Sequence, residues 1–268
     1  SPVPFIDSAI QSLARTGVLE VTATDTAALT GSSLSSQKRR YGAQGIVDDY
    51  AHDDAVRVLL GMIAKTAAMH DRIIKPILSL FDGHHVRVSV LIKTSKEAAS
   101  NFQEQLGYRL RTKDVPYKFI KYPSADQIKS ASGPLWIGPL MDKEIAGRLT
   151  EECAIQTCLP TSDELEELIA KGLAWSDKDV EYATREMIRS VKHISSAADL
   201  LSRQHMLLSL NSMPRLAGTK GAPKMDDVIS DLIELGYSAA RYPDMEPMFV
   251  TDASFDDVIS IFRKYHYD

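Results

Sequence analysis

Ile6, Ala9, Ile10 and Leu13 recur at three- and four-residue spacing after Pro4, which predicts an opening helix with one face turned inward. Gly17 ends it. Residues 18–23 then read as a buried strand, near-continuously apolar, of the kind found in a sheet covered on both faces. Residues 24–50 are polar and rich in Gly and Ser, and are expected to be a loop. Asp53 or Asp54 introduces a helix of about 17 residues ending at Met69. Residues 73–80 and the alternating residues 84–92 flank a turn at Asp82-Gly83, which predicts an antiparallel hairpin. Helix, strand, helix, strand, strand is the order of the second half of a mixed sheet with helices on its faces. Nothing upstream supplies the first strand's partners, so part of the machinery is expected outside the sequence. In doubly wound sheets ligands sit beyond the carboxyl ends of the strands, so chemistry is expected just after Ala23.

The pattern changes after residue 93. Residues 94–105 read as a short charged helix or a linker, followed by strands at 107–112 and 117–121. Paired Gly-Pro steps around Trp136 mark residues 132–140 as a rigid turn-strand-turn unit, which suits a domain hinge as well as a binding surface. Helices are expected at 143–157, 161–172, 178–194 and 197–210, with N-terminal caps at Thr161, reciprocated by Glu164, and at Asp177. The closing unit, 223–268, reads as a helix from Met225 that Gly236 stops, strands at 237–241 and 248–251, and a helix at 254–262. A helix followed by a hairpin outlines a winged helix, and equally a small α+β packing module.

Composition excludes more than it identifies. With 44% hydrophobic and 25% charged residues over 268 positions, the chain has the balance of a globular protein large enough for two domains. Its longest apolar run, 56–64, is interrupted by charge and falls short of the ~20 residues a bilayer span needs. No secretory signal is visible at the start, so a cytoplasmic location is expected. Cys153 and Cys158 have no cysteine neighbours to complete a zinc site and are expected to be buried or half-buried free thiols. A net charge of −5 neither suggests nor forbids nucleic acid, because phosphates meet a local footprint.

Two zones carry candidate chemistry. Thr22, Thr24, Asp25 and Thr26 lie at the carboxyl end of the first strand, with the basic run Lys38-Arg39-Arg40 and Tyr41 close behind. Such groups suit a polar ligand beside a phosphate backbone, or else a capped turn beside a solvated face. The second zone interleaves Arg109, Arg111, Lys113, Lys118, Lys121 and Lys129 with Tyr108, Tyr117, Phe119 and Tyr122. Cations can place phosphates while aromatics stack on unpaired bases, although an ordinary amphipathic strand has the same pattern. His52, His70, His84, His85, His193, His205 and His266 are scattered and form no metal set. No nucleophile elbow, Walker loop or dinucleotide signature occurs.

Four stretches carry a family resemblance: residues 1–9, beginning Ser-Pro-Val-Pro-Phe-Ile; Thr22-Ala23-Thr24-Asp25-Thr26-Ala27; Lys38-Arg39-Arg40-Tyr41-Gly42-Ala43; and residues 133–140, Gly-Pro-Leu-Trp-Ile-Gly-Pro-Leu. In this order they resemble the archaeal tRNA guanine-26 N2-dimethyltransferases over residues 1 to about 143, with 226–253 fitting the family's end more loosely. The resemblance implies the distal half of a class I S-adenosyl-L-methionine-dependent, Rossmann-like methyltransferase sheet in residues 1–93. It implies a tRNA-binding α+β domain in 94–268, with the possible winged helix at 223–268.

The implied activity is transfer of one or two methyl groups from S-adenosyl-L-methionine to the exocyclic amine of a tRNA guanine. The family's catalytic Asp-Pro-Phe-Gly segment would immediately precede Ser1, and the main cofactor-binding residues would also lie upstream. Ser1 and Pro2 become the tail of the catalytic loop and, with Asp25, the candidate catalytic positions. Thr24, Asp25 and Thr26 would border the pocket for a flipped guanine. Lys38, Arg39, Arg40, Tyr41, Lys113, Lys118 and Lys121 would meet RNA, the first four alternatively bracing the pocket. Many archaeal relatives carry four cysteines in the stretch corresponding to 108–131, where this chain has none. Packing is therefore expected to hold that stretch, and no metal is expected. The family's Arg-Thr-His-Phe reads Arg241-Tyr242-Pro243-Asp244 here, which weakens an RNA role for that hairpin. The expected partners are tRNA and the upstream part of the same protein, without which the chain would be inert. A non-catalytic tRNA-binding module and an inactive methyltransferase-derived protein are the competing readings.

Overall fold

The computed structural model describes residues 1–172, 176–203, 205–243, 245 and 247–265; Asp244 and His266 lie outside the described residues. Helix α1 (Val3–Ser12) leads into strand β1 (Thr16–Ala23), and two short helices, α2 (Thr26–Leu29) and α3 (Leu34–Tyr41), follow. The long helix α4 (Ala51–Ala68) then crosses to the hairpin β2 (Arg72–Phe81) and β3 (Val86–Thr94). The hairpin opens around β1: β3 lies in the middle, antiparallel to both neighbours, in the order β1-β3-β2. Ala23 and Phe81 both register with Val86, so β1 and β2 end at the same edge of the sheet. This is the α/β arrangement expected from the order of elements.

Beyond β3 come α5 (Lys96–Ser100), a 3-10 turn at Phe102–Gln105, β4 (Leu106–Arg111), β5 (Tyr117–Ile120), α6 (Ala125–Ile128) and β6 (Ala131–Trp136). The three strands form a second antiparallel sheet, β5-β4-β6. Helix α4 joins the two sheets, packing on β2 and β3 with one face and on β6 with another. Fourteen of its 18 residues are buried, as expected for a helix covered on opposite sides. The principal hydrophobic core accordingly runs from Ile6 through Leu59 and Ile92 to Trp136 and on to Val250. In the stretch without cysteines, the buried Tyr117 ring packs edge-on to Tyr50 and Phe119.

The remaining elements are α7 (Lys143–Ala146), α8 (Glu151–Cys158), α9 (Ser162–Ala170), α10 (Asp177–Leu201), β7 (Met206–Ser209), α11 (Met213–Ala217), α12 (Met225–Glu234), β8 (Ala239–Arg241), β9 (Met248–Thr251) and α13 (Phe255–Lys264). Strands β7-β9-β8 make a third sheet. Helices α11, α12 and α13 share a separate core with it, around Leu208, Met213, Val228, Leu232, Phe249 and Phe262.

Several expectations need correction. The polar loop 24–50 contains α2 and α3; only Gln37 and Tyr41 of α3 are buried, so no apolar stripe announces it. Residues 178–210 are one helix ending at Leu201 and then a strand, because the run at 206–208 pairs with β9. The helix expected at 143–157 breaks in two around Gly147. Ser176, not Asp177, caps α10, with Asp179 as its reciprocal partner. The hairpin of the closing unit takes a third strand from 206–209, through β9. Cys153 and Cys158 are exposed.

Charge is buried where α4 begins. The guanidinium of Arg109, fully buried on β4, donates to both Asp54 oxygens at 2.8 and 2.7 Å and to both Asp48 oxygens at 3.0 and 2.9 Å. Burial alone would lower the arginine's pKa, but Asp54 and Asp48 outweigh it and hold the group above its ordinary value. Alongside, Arg57 donates to Asp53 at 2.6 Å, and the buried Tyr242 hydroxyl donates to the same carboxylate at 3.2 Å.

Removing one member of a buried ion pair strands its partner, so Arg109→Met is expected to destabilise the fold by about 3–5 kcal/mol. The exposed Lys113→Ala should stay within about 0.5 kcal/mol. Urea denaturation midpoints measure both, and equal shifts would show that the buried network contributes no special stability.

Candidate functional site at the end of the first strand

At the carboxyl end of β1 the chain turns sharply. Asp25 accepts the backbone N–H groups of Ala28 and Leu29 on its carbonyl at 2.9 and 3.2 Å, which starts α2 and fixes the aspartate at the mouth of the sheet. Gly31 (φ +86) then lets the chain pass Gly45, whose backbone would lie 3.0 Å from any Cβ at that position. The buried Gln37 amide donates to the Leu29 carbonyl at 2.8 Å, holding α3 against α2. One side of α3 thereby faces Asp25, and the rest faces solvent.

Four residues meet here. The Tyr41 hydroxyl donates to Asp25 Oδ1 at 2.8 Å, and Arg40 Nη1 donates to Oδ2 at 3.0 Å. Ser1 Oγ lies 3.2 Å from the Tyr41 oxygen. A phenol has one proton, and Tyr41 gives it to Asp25, so Ser1 is the donor in that second contact. The result is a directed relay from Ser1 through Tyr41 to Asp25.

Partial burial pushes the Asp25 carboxyl up, but the hydrogen bonds from Tyr41 and Arg40 prevail and hold it below the ordinary carboxylate range. Burial also raises the Tyr41 phenol, keeping it protonated as a donor. Two of the roughly four acceptor positions of an aspartate are occupied, which leaves room for a pair of outside donors.

The other expected site residues fall into two groups. Thr24 is exposed and Thr26 half-buried beside Asp25; Pro2 sits at the N-cap of α1. Lys38 and Arg39 are exposed on α3, with no ion-pair partner given by the contacts among the described residues. The second basic zone lies on the other sheet and is largely spent on internal contacts. Arg109 is buried, Arg111 pairs with Asp48 at 2.8 Å, Lys121 with Glu104 at 2.6 Å and Lys129 with Asp126 at 2.9 Å. Tyr117 is buried in the core and Phe119 lies against the Arg57 guanidinium, so neither ring is free for a base. The expected charged, aromatic face therefore shrinks to the exposed Lys113 and Lys118 with the rings of Tyr108 and Tyr122, because the face of β4 bearing Arg109 points at Asp48 and Asp54.

The reasoning from sequence missed the contact of Ser1 with Tyr41 and the role of Asp48 and Asp54. A run of aspartates ahead of an apolar helix was visible, but Arg109, the partner of Asp54 and Asp48, lies 55 and 61 positions away. A cleft of about 740 Å³ is lined by Ile73, Pro76, Phe102, Trp136 and Met141 among others. It lies toward the start of β2, at the end of the first sheet remote from Asp25.

The lowered Asp25 value has a sign that can be checked. A carboxylate whose pKa falls on folding stabilises the fold at pH above its unfolded value, and that contribution disappears as pH drops through the folded value. Tyr41→Phe should move the Asp25 titration upward, toward the ordinary range, in carboxyl-detected NMR. An unmoved titration would show that the tyrosine does not hold the carboxylate.

Known proteins share this chain's sequence pattern and fold. The model of the family described as N2,N2-dimethylguanosine tRNA methyltransferase matches residues 1–204. The tRNA (guanine(26)-N(2))-dimethyltransferase of Thermococcus kodakarensis is 29% identical over 265 residues, covering 98% of this chain and 62% of that protein. That of Thermoplasma volcanium is 36% identical over 153 residues, covering 56% of this chain and 42% of the relative. Among solved structures, Trm1 from Pyrococcus horikoshii in complex with S-adenosyl-L-methionine superposes with a TM-score of 0.74 at 27% identity, over 97% of this chain and 63% of the other. The chain thus spans less than two thirds of the length of these relatives. Since the family model takes in three quarters of the chain and the fold follows a family structure through nearly all of it, this chain belongs to the N2,N2-dimethylguanosine tRNA methyltransferase family.

Proposed function

We propose that the chain supplies the acceptor side of the active site of a tRNA methyltransferase, which modifies the exocyclic N2 of guanine 26. One observation carries the reading: a carboxylate fixed by Tyr41 and Arg40 stands at the carboxyl end of β1, beside a helix bearing Lys38 and Arg39. A guanine offers two adjacent donors on its Watson–Crick edge, N1–H and the N2 amine. The two acceptor positions left on Asp25 suit that pair, and two parallel bonds to a carboxylate fix both distance and plane.

An amine conjugated to a purine is a weak nucleophile, so orienting it is the main service the protein can render. The guanine must first leave its stack, and the open surface around Thr24 and Thr26 gives it a place to go. Ser1 and Pro2 stand next to this position, with the Ser1 hydroxyl tied through Tyr41 to Asp25. S-adenosyl-L-methionine supplies the methyl group when bound. This chain's part is to hold the acceptor.

In this reading residues 1–93 handle the base and 94–268 handle the tRNA body, with Lys113 and Lys118 as phosphate contacts. Lys121, tied to Glu104, contributes less. Two exposed thiols suit a reducing, cytoplasmic setting.

The test is methyl incorporation into tRNA by the full-length protein that contains this chain. Asp25→Ala should lower kcat on the order of 10²-fold through lost orientation, with the KM for tRNA changing less than about threefold. Mass spectrometry of the digested tRNA should place the methyl groups on N2 of guanine 26. Modification of another atom, or an Asp25→Ala enzyme with full kcat, would overturn the assignment.

A further inference from the structure

A second, smaller recess opens on the same helix. It has a volume of about 260 Å³ and lies between Lys38 of α3, Gly42 just after it, Gln44, Tyr108 of β4, and the Gly133-Pro134 step of β6. Its floor is rigid. Gln44 and Gly133 exchange backbone hydrogen bonds at 2.9 and 2.7 Å, and the Gln44 side chain is committed to the Ile128 and Ala131 carbonyls. Gly133 (φ +147) has no room for a side chain, since a Cβ would sit 2.7 Å from the Tyr108 ring. The ring therefore lies directly against the strand as a fixed wall.

Two polar groups at this recess are uncommitted. The contacts among the described residues include no hydrogen bond to the Tyr108 hydroxyl and no carboxylate paired with Lys38, although many exposed cations of this chain carry such a partner. An aromatic wall with a hydroxyl and a nearby ammonium is the combination that receives one nucleotide: the ring takes the base or sugar, and the cation takes the phosphate. The volume is below that of drug-sized pockets, which suits a single nucleotide unit.

Position supports the same occupant. Lys38 precedes Tyr41 by three residues, so the two share one side of α3 and lie about 4.5 Å apart along its axis. A strand whose guanine reaches Asp25 has its neighbouring nucleotide within reach of the recess.

We propose that this recess binds a nucleotide adjacent to the target guanine, with Lys38 on its phosphate and Tyr108 against its base or sugar. The inference rests on the tRNA reading given above. It sets the path of the strand across α3 and makes Tyr108 a determinant of how the tRNA is seated.

The test uses tRNA binding by this 268-residue chain across a salt series, together with crosslinking from 4-thiouridine placed on either side of guanine 26. Lys38→Ala should weaken binding and lower the salt slope by about one. Tyr108→Ala should weaken binding by about tenfold. Tyr108→Phe keeps the ring for packing and should lose only the hydroxyl's share, about threefold. One of the two thiouridines should crosslink to Tyr108 or a recess neighbour. If the wild-type chain binds tRNA but the variants bind equally well and neither label reaches the recess, this inference falls and the methyltransferase reading stands. If the wild-type chain does not bind tRNA at all, this inference fails together with the proposed tRNA-handling role of the chain, while methyl transfer by the full-length protein remains a separate measurement.

Discussion

The buried pairing of acids and arginines at the start of α4 is the constraint on which the other parts depend. Asp48 and Asp54 share Arg109 of the second sheet, and Asp53 takes Arg57 and the Tyr242 hydroxyl from beside the third. Asp49 accepts from Ser209 on β7 at 2.8 Å. Four carboxylates within seven residues thus hold one helix, two further sheets and, through α4's apolar face, the first sheet as well. Negative charge at a helix N-terminus is favourable in itself, which offsets part of the cost of taking these groups out of water. Direction matters more than net energy: a bidentate guanidinium pair holds only in one geometry, so Arg109 sets the register between α4 and β4.

The consequence reaches the candidate site through a short connection. Between the end of α3 at Tyr41 and the start of α4 at Ala51 the chain has few free residues. Gln44 is bonded to Gly133 through the backbone, Ile46 N–H donates to Ser132 Oγ at 2.9 Å, and Tyr50 is wedged beside Arg109. Helix α3, which carries Arg40 and Tyr41, is therefore anchored at its far end to the network that organises the second sheet. The carboxylate at the mouth of β1 is positioned from two directions, by its own turn and by a helix anchored elsewhere. Such double support holds the carboxylate in one position.

Much of the sheet was legible because it follows simple periodicities. The opening helix, β1, α4 and the hairpin β2–β3 all have the spacing that burial on one or two faces demands, and their order implied the sheet. Asp25 stands out as a candidate for a topological reason, since it follows the end of a strand, where α/β sheets commonly bind ligands. What could not be read was anything depending on a distant partner. Arg109 looks like a solvated cation until Asp48 and Asp54 are brought to it across some 55 to 61 positions. Helix α3 was hidden because its inward side is a glutamine and a tyrosine, a pattern that periodicity counts as polar. Strand β7 reads as helix because a three-residue apolar run carries no period, and its partner β9 lies some 40 residues on.

The charge balance carries a further lesson about recognition. A net charge of −5 would argue against an RNA partner if charge were spread evenly, but it is not. Asp48, Asp53 and Asp54 are consumed by buried arginines and present little field to solvent, while α9 concentrates Asp163, Glu164, Glu166 and Glu167 on a helix with no buried residue. On α3 the opposite holds: three consecutive cations are exposed, and among the described residues only Arg40 is tied to a carboxylate. A polyanion approaching the molecule meets that local excess before it meets the mean, since screening limits each charge to about 8–10 Å at ordinary ionic strength. The buried arginines matter here indirectly: by neutralising Asp48, Asp53 and Asp54 they leave the exposed Lys38 and Arg39 of α3 as a local excess of positive charge.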